Sequence, residues 1–124
     1  MIKIILIFCG GGLGSLCRYG FQKYITLESF PLGILTANVC SSFILGMLLQ
    51  LQFIKPSTEQ SLFPLLAIGF CGGFSTFSTF SADTFMLLQQ SNFILALSNV
   101  LLNVVACIGA VYAGIHIIKL LTIS

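Results

Sequence analysis

Hydroxyl and phenyl side chains alternate in one stretch of this chain, GFCGGFSTFSTFSADTF, at residues 69–85. Six hydroxyl side chains lie within residues 75–84, and Phe74, Phe77 and Phe80 are spaced three residues apart. Hydroxyl groups donate hydrogen bonds, and the edge of a phenyl ring carries partial positive charge. Such a lining can bind an anion weakly enough to release it. The stretch therefore indicates an anion-binding surface.

Amide and guanidinium donors add to this surface from other parts of the chain. Arg18, Asn38 and Asn103 each lie in or beside an apolar run. Asn99, Asn103 and Cys107 recur every fourth residue, which places them on roughly one face of a helix. An isolated Ser or Thr in a membrane helix commonly bonds its own backbone, whereas an Asn amide cannot be satisfied locally. The asparagines therefore favour a polar cavity between helices.

The composition shows that these polar residues are carried by strongly apolar elements. Of the 124 residues, 57% are hydrophobic and 6% are charged, against about 25% charged in a soluble domain. The long uncharged intervals predict four membrane spans at about 2–22, 30–54, 61–89 and 93–120, since a span needs about 20 apolar residues. We therefore expect an all-α integral membrane protein with one domain, residues 1–124, arranged as an up-down bundle. A surrounding lipid bilayer is implied, and no nucleic-acid partner is expected.

Short polar segments separate the predicted spans. Lys55-Pro56-Ser57-Thr58-Glu59 precedes the third span, and Gln89-Gln90-Ser91-Asn92 precedes the fourth. The apolar run at the N-terminus is not interpreted as a secretion signal, because it is short and no A-x-A cleavage site follows it.

The third span is predicted to be interrupted near Gly72–Ser75. Gly72 and Gly73 weaken helical continuity. The three-residue period of the phenylalanines also aligns better in a 3₁₀ or unwound segment than in an α-helix. Backbone groups released at membrane depth must face protein or a cavity, where carbonyls suit a cation and amides an anion.

The residue types in the chain argue against catalysis. The five cysteines form no C-x-x-C pair and the single histidine is His116, so metal or redox chemistry is not expected. No nucleophile and base are paired by any motif, and one aspartate cannot supply the pair that an intramembrane protease needs. We expect a protein that is not an enzyme.

The distribution of charged residues between the two sides of the membrane bears on how the chain inserts and how subunits assemble. Lys3, Lys55 and Lys119 fall on one side of the membrane, and Arg18 and Lys23 on the other, so orientation is weakly specified. Four spans leave little room for an aqueous path through one subunit. We therefore expect a homodimer with a path at its interface, built from a chain that can insert in both orientations.

Two sets of small residues are suited to close helix contact. They serve packing within one subunit as well as they serve a dimer. The sets are Gly10, Gly11, Gly12 and Gly14, and Gly33, Ala37, Ser41 and Gly46.

Three segments resemble one known family. GGGLGSLCRYG at 10–20, GILTANVCSSFILG at 33–46 and GFCGGFSTFSTFSADTF at 69–85 are similar to the CrcB/Fluc fluoride channels, and the resemblance extends over nearly the whole chain. It implies a dual-topology antiparallel homodimer, multi-pass in the inner (plasma) membrane of a cell. It further implies two anion pores at the interface and passive export of fluoride, which relieves fluoride toxicity.

The resemblance also implies an anion pore drawn from all four spans. Phe77 and Phe80 match the rings that line the pore, Asn38 its asparagine, and Arg18 an arginine at the vestibule. Two hydroxyl residues of a polar track and one polar residue of the fourth span complete the set: Ser78, Thr79 and Asn103.

A structural sodium ion is the one cofactor that the resemblance implies. In the family it lies at the dimer interface, held by backbone carbonyls at the break in the third helix. By motif these carbonyls belong to Gly72 and Ser75 of both subunits.

The chain departs from the family pattern at three positions. Ile34 stands where the family often has Thr, which removes a vestibule hydroxyl. Ser75 replaces a common Thr and keeps both hydroxyl and carbonyl. Asp83 replaces a common Glu and shortens its reach.

Two other functions compete with the channel. A small multidrug-type exporter, also built from four spans, should carry a carboxylate in its first span, but residues 1–27 contain no Asp or Glu. A non-transporting membrane subunit would need only the packing glycines, which leaves Arg18, Asn38 and the hydroxyl-rich stretch unexplained.

Overall fold

A computed structural model of the protein describes residues 1–57 and 62–123. These residues form helices α1 to α5, and the third span also contains a π-helical segment. The described part includes four helical spans long and apolar enough to cross a membrane, which confirms the predicted fold class of an all-α, four-span protein. In chain order the elements are α1 Ile2–Tyr24, α2 Leu32–Ile54, the π-helical segment Phe63–Cys71, α3 Gly72–Phe74, α4 Phe77–Gln89 and α5 Phe93–Ile123.

The helices begin and end close to the predicted limits. Helix α1 continues beyond the predicted end at residue 22 to Tyr24. Helix α2 begins only at Leu32 because Pro31 precedes it and occupies the N-cap position. Of the predicted polar connector, Thr58 and Glu59 lie outside the described residues, as does residue 61, the predicted start of the third span.

The interruption of the third span lies at Ser75 and Thr76, slightly later than Gly72–Ser75. Ser75 has φ −78° and ψ 155°, and Thr76 has φ −153° and ψ 122°, so both are extended. Gly72 is helical, with φ −64° and ψ −35°. A Cβ on Gly73 would collide with the carbonyl oxygen of Gly11, whereas one on Gly72 would meet nothing within 4 Å. Gly73 therefore permits close packing against α1, and the helix continues through both glycines to Phe74.

The N-terminal glycines join α1 to the third span within one subunit. A Cβ on Gly10 would collide with the carbonyl oxygen of Leu65, and one on Gly14 with that of Phe70. In the second set, Gly46 of α2 meets the backbone of Val111 in the same way. At these positions the small residues serve packing within the subunit, which is one of the two uses that the sequence left open.

Helix α2 occupies the centre of the bundle and contacts each of the other three spans. A small apolar core forms where it meets the third span, from Leu48, Ala67 and Cys71. The hydroxyl of Ser41, itself buried, donates to the Cys71 carbonyl oxygen at 2.9 Å. Helix α2 thus holds the third span just before its break.

Substitution of Gly14 tests the close packing of α1 on the third span. Gly14→Ala should destabilise the fold by at least about 2 kcal/mol, because overpacking against backbone cannot be relieved by a rotamer change. The free energy of unfolding in mixed detergent micelles measures this. Gly12→Ala is the matched control, since no heavy atom lies within 4 Å of a Cβ at Gly12; equal stability of the two variants would contradict the packing argument.

Candidate functional site

The site is organised around the extended backbone of Thr76. Its amide donates to Asn38 Oδ1 at 2.9 Å, and the Asn38 Nδ2 group lies 3.5 Å from the Thr76 carbonyl oxygen. In a continuous helix that amide would bond the carbonyl of Gly72. The side chain of Asn38 on α2 therefore replaces a helical hydrogen bond, which is how a buried break is satisfied.

Buried amides continue from Asn38 along α5. Asn38 Nδ2 donates to Asn103 Oδ1 at 2.9 Å, and Asn103 Nδ2 donates to Asn99 Oδ1 at 3.0 Å. The side chains of Asn38, Asn99 and Asn103 are all buried. The predicted four-residue spacing of Asn99 and Asn103 on one face of the fourth span thus brings them into direct contact.

Helix α4 starts immediately after the break, with Thr76 as its N-cap. The Thr76 hydroxyl oxygen accepts from the Thr79 amide at 3.2 Å. The hydroxyl groups of Ser78 and Thr79 also lie 3.2 Å from it. Two of the predicted pore hydroxyls therefore belong to the capping cluster of α4.

A cavity of about 250 Å³ opens beside this break and α5. Two aromatic rings form one wall, with the Phe77 and Phe80 ring centroids 5.5 Å apart and their planes inclined at 51°. Phe77 is 80% exposed whereas Phe80 is 9% exposed, so one ring projects from the subunit surface and the other is fixed within it. The cavity is lined by Asn38, Ser42, Ser75, Thr76, Phe77, Phe80, Asn103, Val104 and Cys107.

The structure brings most of the predicted site residues to this cavity. Asn38, Phe77, Phe80 and Asn103 line it directly. Ser78 and Thr79 are not part of its wall, and their hydroxyl groups contact that of Thr76 in the capping cluster. The guanidinium of Arg18 donates from α1 to the Ser75 carbonyl oxygen at 3.5 Å and contributes positive charge from the far side of the break.

The two carbonyls predicted to bind sodium belong to residues at the two ends of α3, with Gly72 as its first residue and Ser75 as its C-cap. Gly72 is exposed and begins α3. The Thr76 amide, its usual donor, is directed to Asn38. Ser75 lines the cavity and is half-buried. Among the described residues no group of three or more His, Cys, Asp or Glu could hold a metal. The Ser75 carbonyl oxygen also accepts from the guanidinium of Arg18.

Phe74 does not join the other two rings of the three-residue period. Its ring lies edge-on to that of Phe21, with centroids 5.0 Å apart, and it is buried. The break turns the chain between Phe74 and Phe77, which separates a packing ring from the cavity rings.

Asp83 lies away from the ring-lined cavity. It contributes to two other cavities, of about 230 and 200 Å³, beside the α1–α2 connection. Both of these also contain Leu27, Phe30 and Pro31. None of the described residues in the wall of the ring-lined cavity carries a carboxylate.

Four residues of the wall were not among the predicted site residues: Thr76, Ser42, Val104 and Cys107. Thr76 carried a sequence signal, because a Thr after an interruption and before an apolar run is a favourable N-cap. Cys107 carried another, since it follows Asn103 by one helical turn. Ser42 carried the same signal, since it follows Asn38 by one helical turn, whereas Val104 carried none.

Comparison with known proteins places the chain in a family. The model of the family described as CrcB-like protein, Camphor Resistance (CrcB), matches residues 5–115. The chain belongs to the CrcB-like family. This confirms the resemblance found in the three sequence segments.

Several curated relatives of this CrcB-like chain carry the name Fluoride-specific ion channel FluC. One from Pyrococcus abyssi is 46% identical over 113 residues, covering 89% of this chain and 90% of the relative. One from Leptospira interrogans is 42% identical over 120 residues, covering 94% of each. One from Citrifermentans bemidjiense is 37% identical over 124 residues, covering 98% of this chain and 100% of the relative. Members of the family with this name are channels, which confirms the expectation of a protein that is not an enzyme.

The N-cap at Thr76 sets the start of the helix that carries both rings of this CrcB-like protein. Thr76→Val keeps the side-chain shape but removes the acceptor for the Thr79 amide, and should destabilise the fold by about 1–2 kcal/mol. Thr76→Ser retains the oxygen and should restore most of that stability. Unfolding in mixed micelles measures both, and equal losses in the two variants would show that the hydroxyl does not cap α4.

Proposed function

We propose that this protein is a fluoride channel that passively exports fluoride across the plasma membrane, in which it is a multi-pass protein, and so relieves fluoride toxicity. The observation that carries the proposal is the cavity wall, which combines two phenyl rings with hydroxyl and amide groups and, among the described residues, contains no ionised side chain. Relatives named as fluoride-specific ion channels support the choice of anion.

The wall suits a small, strongly hydrated anion. Such an ion must replace its water with donors and yet leave again. The edges of Phe77 and Phe80 supply partial positive charge, and the Ser42 hydroxyl and the amide of Asn38 can supply hydrogen bonds. Because none of these groups carries a full charge, each interaction is weak and the ion is not trapped.

Arg18 acts at a distance in this mechanism. Its guanidinium contacts the carbonyl of Ser75, which places a permanent positive charge behind the break rather than in the cavity. The charge raises the local concentration of anions near the opening. Ser78 and Thr79 keep the rings in position through the α4 cap and present hydroxyls beside it.

The alternative of a small multidrug-type exporter is not favoured. Helix α1 contains no Asp or Glu, so the first span lacks the carboxylate that would bind a cationic drug. Asp83 of the third span lies beside the α1–α2 connection, away from the cavity between α2, α4 and α5.

The working unit is an antiparallel, dual-topology homodimer. One subunit supplies only part of a closed pathway, since Phe77 projects from its surface and its cavity opens there. A second copy facing the first would complete the wall of the cavity and bury the exposed ring of Phe77. The near balance of charges on the two sides of the membrane supports insertion in both orientations.

A structural sodium ion held by the carbonyls of Gly72 and Ser75 from both subunits is part of the proposal. Carbonyl oxygens suit a hard cation. The redirection of the Thr76 amide to Asn38 leaves the Gly72 carbonyl without that donor. Such an ion would supply charge at the break and is not transported.

Fluoride efflux from liposomes that contain the purified protein tests the channel. Wild type should release fluoride well above the rate of empty vesicles and should release almost no chloride. Phe80→Ile and Asn38→Asp should each reduce fluoride efflux by at least about tenfold, because the first removes a ring edge and the second places a negative charge where a donor stood. Wild-type efflux no faster than that of empty vesicles would refute the channel, and unchanged efflux in both variants would exclude these residues from the pore.

A structure of the protein in lipid nanodiscs tests the assembly and the ion together. We expect two antiparallel subunits and an ordered density on their two-fold axis within coordination distance of Gly72 and Ser75. Exchange of sodium for a large organic cation should weaken that density. Parallel or monomeric subunits would contradict the dimer, and an empty axis in an antiparallel dimer would contradict the sodium ion alone.

A further inference from the structure

We infer that Asn99 and Thr84, which do not line the cavity, are positioning residues that fix the direction of the Asn38 amide. This inference rests on the proposed function, in which Asn38 offers the anion the Nδ2 proton that is only weakly engaged by the Thr76 carbonyl oxygen at 3.5 Å. It means that two residues outside the cavity wall, Asn99 and Thr84, determine how a donor in the wall, the Asn38 Nδ2 group, is directed.

A directed series of hydrogen bonds joins the break to α4 by way of α2 and α5. It runs from the Thr76 amide through Asn38, Asn103 and Asn99. Asn99 Nδ2 then donates to Thr84 Oγ1 at 2.9 Å. Finally, the Thr84 hydroxyl donates to the Phe80 carbonyl oxygen at 2.8 Å.

The two ends of this series are backbone groups, and they determine its direction. The Thr76 N–H can only donate, so Asn38 must turn Oδ1 toward it and Nδ2 away. The Phe80 carbonyl can only accept, so Thr84 gives its proton there and accepts from Asn99. Each amide between the ends has one orientation that satisfies both of its neighbours.

Asn103 is fixed in the same direction by a further backbone group. Its Nδ2 also donates to the Asn99 carbonyl oxygen at 3.0 Å, which leaves Oδ1 for Asn38. Asn99 thus holds Asn103 through two acceptors, one on its backbone and one on its side chain. Rotation of the Asn99 amide would place its Nδ2 against that of Asn103, where two donors repel.

Burial makes this orientation energetically significant. Asn99 is 1% exposed and Asn103 is 6% exposed, so water has little access to replace a lost partner. Among the described residues no buried side-chain nitrogen or oxygen lacks a hydrogen bond. A polar group left without a partner at this depth is strongly unfavourable. If Thr84 no longer accepted from Asn99, the Asn99 side chain would therefore move to find another partner.

Thr84 offers an isosteric test of the series. Thr84→Val removes the acceptor for Asn99, and fluoride efflux should fall by about tenfold, the effect expected for one unsatisfied buried donor. Thr84→Ser keeps the hydroxyl and should remain within about twofold of wild type, the range of a conservative change. If Thr84→Ser and Thr84→Val lose efflux equally, the side-chain shape and not the hydrogen bond is what matters, and the inference fails.

Thr36 provides the matched control. Its hydroxyl donates to the Leu32 carbonyl oxygen at 2.9 Å, the same local bond that Thr84 makes, and it is also half-buried. Among the described residues the Thr36 hydroxyl donates to the Leu32 and Gly33 carbonyl oxygens, and no side-chain amide donates to it. Thr36→Val should leave efflux within about twofold of wild type; a tenfold loss there would show that any threonine hydroxyl in the bundle has the effect, and would overturn the inference.

Coupling between the two positioning residues is tested by a double variant. Asn99→Leu removes the donor to Thr84, so adding Thr84→Val to it should cause little further loss. If the fold-reductions in fluoride efflux of the two single variants multiplied in the double variant, the residues would act independently. That result would contradict a connected series of hydrogen bonds.

Hydrogen exchange at Thr76 tests the series without any fluoride. In ¹⁵N-labelled protein, Thr84→Val should speed exchange of the Thr76 amide by about tenfold, because its acceptor Asn38 is loosened. The neighbouring Ser75 amide bonds the Cys71 carbonyl at 2.9 Å and should keep its rate, as should both amides in Thr36→Val.

The two measurements separate the inference from the proposed function. If wild type carries no fluoride while the Thr76 amide responds as expected, the channel is refuted and the positioning of Asn38 stands. If fluoride flows but the Thr76 amide is unaffected by Thr84→Val, or the Ser75 amide accelerates equally, the positioning role is refuted.

Discussion

The hydrogen bond between the Thr76 amide and Asn38 Oδ1 is the interaction on which the site depends. A break in a helix at membrane depth exposes backbone groups that lipid cannot satisfy. Asn38 satisfies the amide from a neighbouring helix, so the chain can be extended at Ser75 and Thr76 and then resume as α4. The placement of Phe77 and Phe80 follows from that restart.

Close packing before the break makes this arrangement possible. Gly73 meets the backbone of Gly11, and Gly14 meets that of Phe70, so the first part of the third span is held against α1. The Ser41 hydroxyl then binds the Cys71 carbonyl from α2. With the preceding helix fixed on two sides, the turn of the chain falls at Ser75 and Thr76 and not at the glycines.

The polar groups around the cavity are largely satisfied by one another. Asn103 gives its amide protons to Asn99, and Thr76 caps α4. What remains for an anion are ring edges and a few partly engaged donors. This suits a channel better than a binding protein, since a wall that already satisfies its own hydrogen bonds holds a passing ion only weakly.

Much of this could be predicted from the sequence, because the relevant signals are local. Charge spacing gave four spans, and the asparagines and phenylalanines indicated a polar, ring-lined cavity. The three motifs gave the family. Apolar length and residue type determine these features whatever the detailed packing.

Other features were decided only by tertiary structure. A glycine such as Gly73 reads the same in the sequence whether it breaks a helix or admits a neighbouring backbone, and in the structure it packs against the backbone of Gly11. Phe74, Phe77 and Phe80 share one period, yet the break assigns the first to the core and the others to the cavity. The direction of the Asn38 amide depends on backbone groups far away in the sequence. Amino-acid types determine which hydrogen bonds are possible, but only packing determines which donor meets which acceptor.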